Sequence, residues 1–269
     1  MADASVLDRT ARDATLLKET VREAGALALS LFRTELKNWT KGASSPVSEA
    51  DIAVNDLIAG RLRSATPGYG WLSEESADDE TRLGKPLVWI VDPIDGTRGY
   101  LAGREDWCVS VALVEGSRPL LAAVFAPASE EFFFAERGRG SVLNGLPVLA
   151  ASGTELDFSR VAGPKPLVER LNRSAGDEMI LHPRIGSLAL RLCRVAEGRL
   201  DAAFAGGQSR DWDLAAADLI VQEANGNMTA LSGDAILYNR REVTHGVLVA
   251  AGRDRHAGIV EHFRARPLP

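Results

Sequence analysis

Leu17, Val21, Ala24, Ala28 and Leu31 follow one another at spacings of four, three, four and three. This is the period of one apolar helical face, and it predicts a long amphipathic helix over residues 5–33. The polar stretch TKGASSP at 40–46 interrupts the pattern and reads as a loop. Beyond it, Val54, Leu57, Ile58 and Leu62 restore a helical period. Ser48 stands where an N-cap belongs, with Asp51 three residues later to complete a variant capping box. Pro67 and Gly68 break this second helix.

The period then changes. LVWIV at 87–91 is a continuous apolar run and predicts a strand buried on both faces. It runs into DPIDGT at 92–97, where Pro93 is expected to stop it. Residues 107–114, 120–125 and 131–135 read as an antiparallel meander, and Asn144-Gly145 as a tight turn. In the second half, 161–164 and 247–251 read as short buried strands. Residues 187–196 and 213–224 read as helices, the latter closed by Asn225 and Gly226. The expected class is α/β (α+β), in two abutting halves, 1–145 and 146–269, that form one functional unit.

Composition adds limits rather than detail. The chain has 269 residues, 45% hydrophobic and 25% charged, the balance of a globular protein able to bury a sizeable core. A net charge of −6 argues against gripping nucleic acid. Cys108 and Cys193 lack CxxC spacing, so neither a disulfide framework nor a zinc knuckle is expected. No window approaches the roughly 20 apolar residues of a membrane span, and the polar N-terminus lacks a secretory pattern. A cytoplasmic protein acting on small molecules is expected.

Candidate chemistry starts at Asp92-Pro93-Ile94-Asp95-Gly96-Thr97. Two carboxylates three residues apart, directly after a buried strand, can share a hard cation such as Mg²⁺, which keeps waters for a substrate phosphate. If Gly96 and Thr97 open a helix, its free N–H groups face a bound anion. The same residues also suit an ordinary turn. Glu74 and Glu75 alone read as a solvated surface pair, and Asp51 and Asp213 alone read as helix caps. Their joint occurrence is what points to chemistry. The four histidines have no ligand spacing.

WIVDPIDGT at 89–97 resembles the first signature of the inositol monophosphatase superfamily, and WDLAAADLIVQEANG at 212–226 resembles its second. SPVSEAD at 45–51 and SEES at 73–76 match two further family elements in the expected order. Asn225-Gly226-Asn227 departs from the usual alanine-glycine-glycine, at the helix end. The resemblance spans residues 12–252 and implies a layered αβαβα sandwich, a homodimer, lithium inhibition and two or three Mg²⁺ ions. It implies that Glu74, Asp92 and the Ile94 carbonyl hold one metal, and Asp92, Asp95 and Asp213 a second. Glu74 would also face a third, weaker site. Asp51 and Thr97 would activate the attacking water. Asp95, Gly96, Thr97, Asp213 and Arg210 would contact the substrate.

For the substrate, SPVSEAD and the aromatic Tyr100 resemble the 3′(2′),5′-bisphosphate nucleotidase branch, although Gly99 stands where that branch often has glutamate. The acidic residue that the inositol branch places seven positions before the second-signature aspartate is Gly206 here. Arg98, Arg184 and Arg210 are candidate grips for a second phosphate, each also readable as an ordinary surface arginine. Adenosine 3′,5′-bisphosphate is therefore expected first, then inositol 1-phosphate, then histidinol phosphate. A haloacid-dehalogenase-type phosphatase would space its aspartates by two rather than three. A non-catalytic phosphate-binding protein would be expected to lose the Thr97–Asp51 pair.

Overall fold

The apolar stripe at Leu17, Val21, Ala24 and Ala28 is fully buried in the computed structural model, which describes residues 4–41, 45–156, 159–175 and 178–266. It lies on helix α1 (Ala4–Leu31). Gly25 sits where the helix meets the sheet beneath. A Cβ there would stand 2.2 Å from Cδ1 of Phe125, so only glycine permits the approach. At both ends of the expected loop at 40–46 the chain is instead paired. Strands β1 (Asn38–Lys41) and β2 (Ser45–Ser48) pair antiparallel, with Thr40 opposite Pro46. Its polar composition concealed a ladder anchored by the buried Val47; residues 42–44 lie outside the described residues. Helix α2 (Glu49–Ala65) follows with its capping box formed as expected.

Seven strands make the first sheet, side by side in chain order. They are β3 (Gly70–Ser73), β4 (Leu87–Asp95), β5 (Cys108–Glu115), β6 (Arg118–Ala126), β7 (Glu131–Glu136), β8 (Ser141–Leu143) and β9 (Leu146–Pro147). β3 runs parallel to β4, and from β4 onward the pairing is an antiparallel meander. A short helix, α3 (Thr97–Leu101), separates β4 from β5. Asn144 and Gly145, with φ of 51° and 83°, make the β8–β9 turn; both left-handed values belong to the primed turns that suit hairpin twist.

The remaining elements are β10 (Arg160–Ala162), α4 (Lys165–Ala175), β11 (Ile180–Leu181), α5 (Leu188–Ala196), β12 (Ala202–Ala205) and β13 (Ser209–Arg210). After them come α6 (Asp211–Glu223), β14 (Gly226–Ala230), β15 (Thr244–His245), β16 (Leu248–Gly252) and α7 (Arg253–Ala265). Five of these strands form a second sheet in the order β11-β10-β12-β16-β14, and β13 pairs with β15. Helix α6 begins two residues earlier than the periodicity indicated. It closes on Asn225 in the left-handed conformation (φ 62°), so Gly226 already belongs to a strand.

Side-chain alternation in β4 explains why its apolar run is continuous. Leu87, Trp89 and Val91 pack with residues of α1 and α2, while Val88 and Ile90 pack with α5 and α6. The opposite face of α5 and α6 meets Ala203, Ala205, Leu248 and Ala250 of the second sheet. Phe204 and Val249 on that sheet's far side pack with α4 and α7. The result is five layers, αβαβα, with α6 in the middle layer.

Candidate active site

Parallel strands end on the same side, and here that brings carboxylates together. Glu74 follows β3 directly and its N–H donates to Val91 O of β4 (3.2 Å). One residue on is Asp92, 1% exposed. Pro93 does not stop β4. Pairing with β3 ends at Ser73–Val91, but β4 continues along β5 to Asp95. Asp92 faces Ser110 and Asp95 faces Cys108, so Pro93 and Ile94 together oppose one residue. This is a bulge, a position that tolerates proline's missing donor and bends the strand. Asp213, third residue of α6, completes the group: one oxygen each from Asp92, Asp95 and Asp213 lies within 4.8 Å of the others.

The scaffold holds each of these side chains by one oxygen. Asp92 Oδ1 accepts the Ile94 N–H (3.0 Å), and Asp213 Oδ2 accepts the N–H of Arg210 at the start of α6 (2.6 Å). Asp51 Oδ2 accepts both the N–H (2.7 Å) and the hydroxyl (2.6 Å) of Ser48. Asp95 Oδ2 accepts the Ser187 hydroxyl and the Ala189 N–H, both at 2.6 Å, and so anchors the start of α5. Capping and site-building are therefore two uses of the same groups. Asp95 is consequently a poor test of ligation alone, since its replacement would also loosen α5.

Thr97 sits behind Gly96, whose φ of 99° turns the chain from β4 into α3. A Cβ on Gly96 would lie 3.1 Å from Asp106 O, so the turn is closed to other residues. The Thr97 hydroxyl has two acceptors in reach, Asp51 Oδ1 at 3.0 Å and Ile94 O at 2.9 Å. Helical hydrogen bonding begins with Gly99 N–H to Gly96 O (2.8 Å), so the preceding amides precede the first helical turn. Lys41 of the hairpin pairs with Glu75 and donates to Glu74 O (3.0 Å), fixing β1 beside the cluster.

Burial raises the pKa of every carboxyl in the group, and repulsion between neighbours adds to it for Glu74, Asp92 and Asp213. Burial dominates for Glu74, with Glu75 next, and pushes it to about 7. Asp92 and Asp213 are raised well above the carboxylate range, by burial first and then by Glu74 and by Asp95 respectively. Asp51 and Asp95 are raised by burial against the hydrogen bonds they accept. An all-oxygen anionic donor set of this kind fits a hard divalent cation. A raised folded-state pKa means the fold binds the proton more tightly than the unfolded chain does. The stabilising contribution is then present below the unfolded pKa and lost as pH rises through the folded value. The melting temperature in EDTA is thus expected to fall between about pH 4.5 and about pH 7, the span from the ordinary to the raised value of Glu74. Saturating Mg²⁺ at about 100 times its Kd should restore about 2.7 kcal/mol, a shift of several degrees, and most at the higher pH. Melting curves with EDTA and with MgCl₂ across that range check this; an Mg²⁺ shift independent of pH would contradict it.

Around the carboxylates lies a cavity of about 330 Å³, which Thr97, Pro46 and three arginines, Arg98, Arg104 and Arg184, also border. A larger cleft of about 660 Å³, between α2 and the residues leading into β4, lacks the clustered carboxylates. Arg98 and Arg184 were candidates from sequence; Arg104 was not. Arg104 is bound twice to Asp106 (3.0 and 2.9 Å), and Asp106 also accepts the Gly186 N–H. Ser187 was likewise missed, because its partner Asp95 is 92 residues away. Arg210 is not among the residues bordering the cavity. Its backbone holds Asp213 while its guanidinium lies 5.7 Å from the Trp212 ring centre.

The sequence profile described as the inositol monophosphatase family matches residues 11–268. An inositol-1-monophosphatase of Mesorhizobium japonicum is 34% identical over 246 residues, covering 86% of this chain and 91% of that protein. A histidinol-phosphatase of Mycobacterium tuberculosis is 35% identical over 225 residues, covering 80% and 85% respectively. The crystal structure of the extragenic suppressor protein suhB from Bartonella henselae superposes with a TM-score of 0.82 at 27% identity, covering 94% of this chain and 98% of that one. The profile match takes in most of α1 and all of β3, β4 and α6, and the chain belongs to the inositol monophosphatase family of phosphatases.

Proposed function

We propose that the chain is a Mg²⁺-dependent phosphomonoesterase whose substrate carries a second anionic group, with adenosine 3′,5′-bisphosphate, yielding AMP and phosphate, as the first candidate. One observation carries the reading: the cavity that gathers Glu74, Asp92, Asp95 and Asp213 is also bordered by Arg98, Arg104 and Arg184. Asp106 offsets Arg104, and Arg184 supplies positive surface beside the reacting phosphate.

Glu74, Asp92, Asp95, Asp213 and the Ile94 carbonyl would hold the cations, which when bound supply Lewis acidity toward phosphoryl oxygens and lower the pKa of water. The chain's own groups do the rest. With Ile94 O committed to ligation, the Thr97 hydroxyl donates to Asp51, leaving its lone pairs to accept from water. Water oxygen forms the new bond to phosphorus as the ester P–O bond breaks. The water proton passes to Thr97 while Thr97's own proton passes to Asp51, whose buried carboxyl is raised and suited to take it. The departing alkoxide takes a proton from solvent. The amides of Gly96 and Thr97 hold phosphate oxygens at the turn into α3.

The names borne by relatives favour a second reading, inositol 1-phosphate, with histidinol phosphate beside it. Phosphate release with Mg²⁺ from the three substrates separates them. A clear preference for adenosine 3′,5′-bisphosphate is expected; preference for inositol 1-phosphate would remove the second anion from the account and leave the hydrolytic chemistry in place.

A further inference from the structure

We propose that the cleft bordered by Lys165, His182, Arg184 and Arg191 is an anion subsite, joined to the carboxylate cavity across Arg184, that receives the second phosphate of a bisphosphate substrate. This rests on the phosphomonoesterase reading above. The cleft holds about 390 Å³ between the β10–α4 turn, the segment leading into α5, and the flank of α5. Among the described residues no acidic side chain borders it, although the chain as a whole carries a net charge of −6. Among the described residues, Arg184 is the one that borders both this cleft and the carboxylate cavity.

The cationic groups are only partly offset by their neighbours. Arg191 donates to two carbonyls, Phe204 O (3.1 Å) and Ile185 O (3.0 Å), which orient its guanidinium without neutralising it. Burial lowers the pKa of Arg191, and Arg184 pushes it the same way against the attraction of Asp95. Two guanidinium groups beside one another at an open cleft are relieved by an anion between them. His182 Nδ1 lies 2.8 Å from Pro183 O, which can only accept, so that nitrogen carries its proton and Nε2 is the other polar edge. Lys165 meets Glu169 at 3.4 Å, but the two side chains are 70% and 46% exposed, a solvent-screened pair that leaves the ammonium able to swing to a ligand. Two phosphates on one ribose match two neighbouring cavities with a common wall.

The test compares kcat/KM with Mg²⁺ for adenosine 3′,5′-bisphosphate and adenosine 3′-monophosphate, in the parent protein and in Lys165→Glu. Lys165 is exposed and, among the described residues, pairs only with Glu169 one turn along α4, so the substitution spares the fold. The parent is expected to prefer the bisphosphate, and Lys165→Glu to remove roughly tenfold of that preference, mainly through KM. Arg184→Ala should erode the same ratio. Equal efficiency on both substrates in the parent, or equal losses in Lys165→Glu, would overturn the subsite while leaving the phosphomonoesterase standing. Release from neither substrate would remove both.

Discussion

Asp92→Asn is expected to lower kcat/KM by roughly a thousandfold or more, the scale on which single electrostatic groups act in preorganised sites. The substitution keeps side-chain volume and the carbonyl oxygen that accepts the Ile94 N–H, so β4 and its bulge should persist. It removes a carboxylate that burial and Glu74 already disfavour. The metal-free variant should therefore melt no lower than the parent, while the Mg²⁺-induced gain in melting temperature shrinks. Kinetics and melting curves with and without Mg²⁺, read together, separate lost ligation from lost folding. A variant retaining a tenth of the parent's activity would end the assignment of Asp92 as a ligand.

Thr97→Ala should lower kcat by about 10²- to 10⁴-fold, the range for positioned proton transfer, and move KM far less. The hydroxyl stands between Asp51 Oδ1 and Ile94 O, and among the described residues no other hydroxyl bonds to that oxygen of Asp51. Asp51 remains held by Ser48 through its other oxygen, so folding should be nearly unaffected. Thr97→Ser restores the oxygen and should recover most of the rate. If KM rises while kcat holds, Thr97 binds substrate and does not activate water.

Much of this arrangement was legible where the signal is local. The stripe on α1, the Ser48–Asp51 cap, the two-sided burial of β4 and the DPIDGT turn are all written within a few residues of where they act. The expectation that Pro93 would end its strand failed because a proline can sit in a bulge once the neighbouring strand has stopped. The β1–β2 ladder was invisible because its residues are mostly polar and its pairing is a matter of backbone groups. Ser187 and Arg104 were missed for a different reason. Their importance is set by partners that the five-layer packing supplies, Asp95 for one and Asp106 for the other. Asp213 was found, although its place inside α6 rather than at its first residue needed the β13–β15 pair, whose Arg210 N–H it accepts.

The middle position of α6 has a consequence for how such a protein diversifies. Three of the four acidic groups of the cavity ride on the first sheet or the turn after it, and the fourth on a helix clasped between both sheets. Lys165, His182 and Arg184, by contrast, stand on α4 and on connections of the outer half, where little else depends on them. On the proposed subsite, hydrolysis and recognition would rest on separate parts. If the proposed subsite holds, substitutions at Lys165, His182 and Arg184 would retune which ester is admitted while leaving the carboxylates of the hydrolytic core in place.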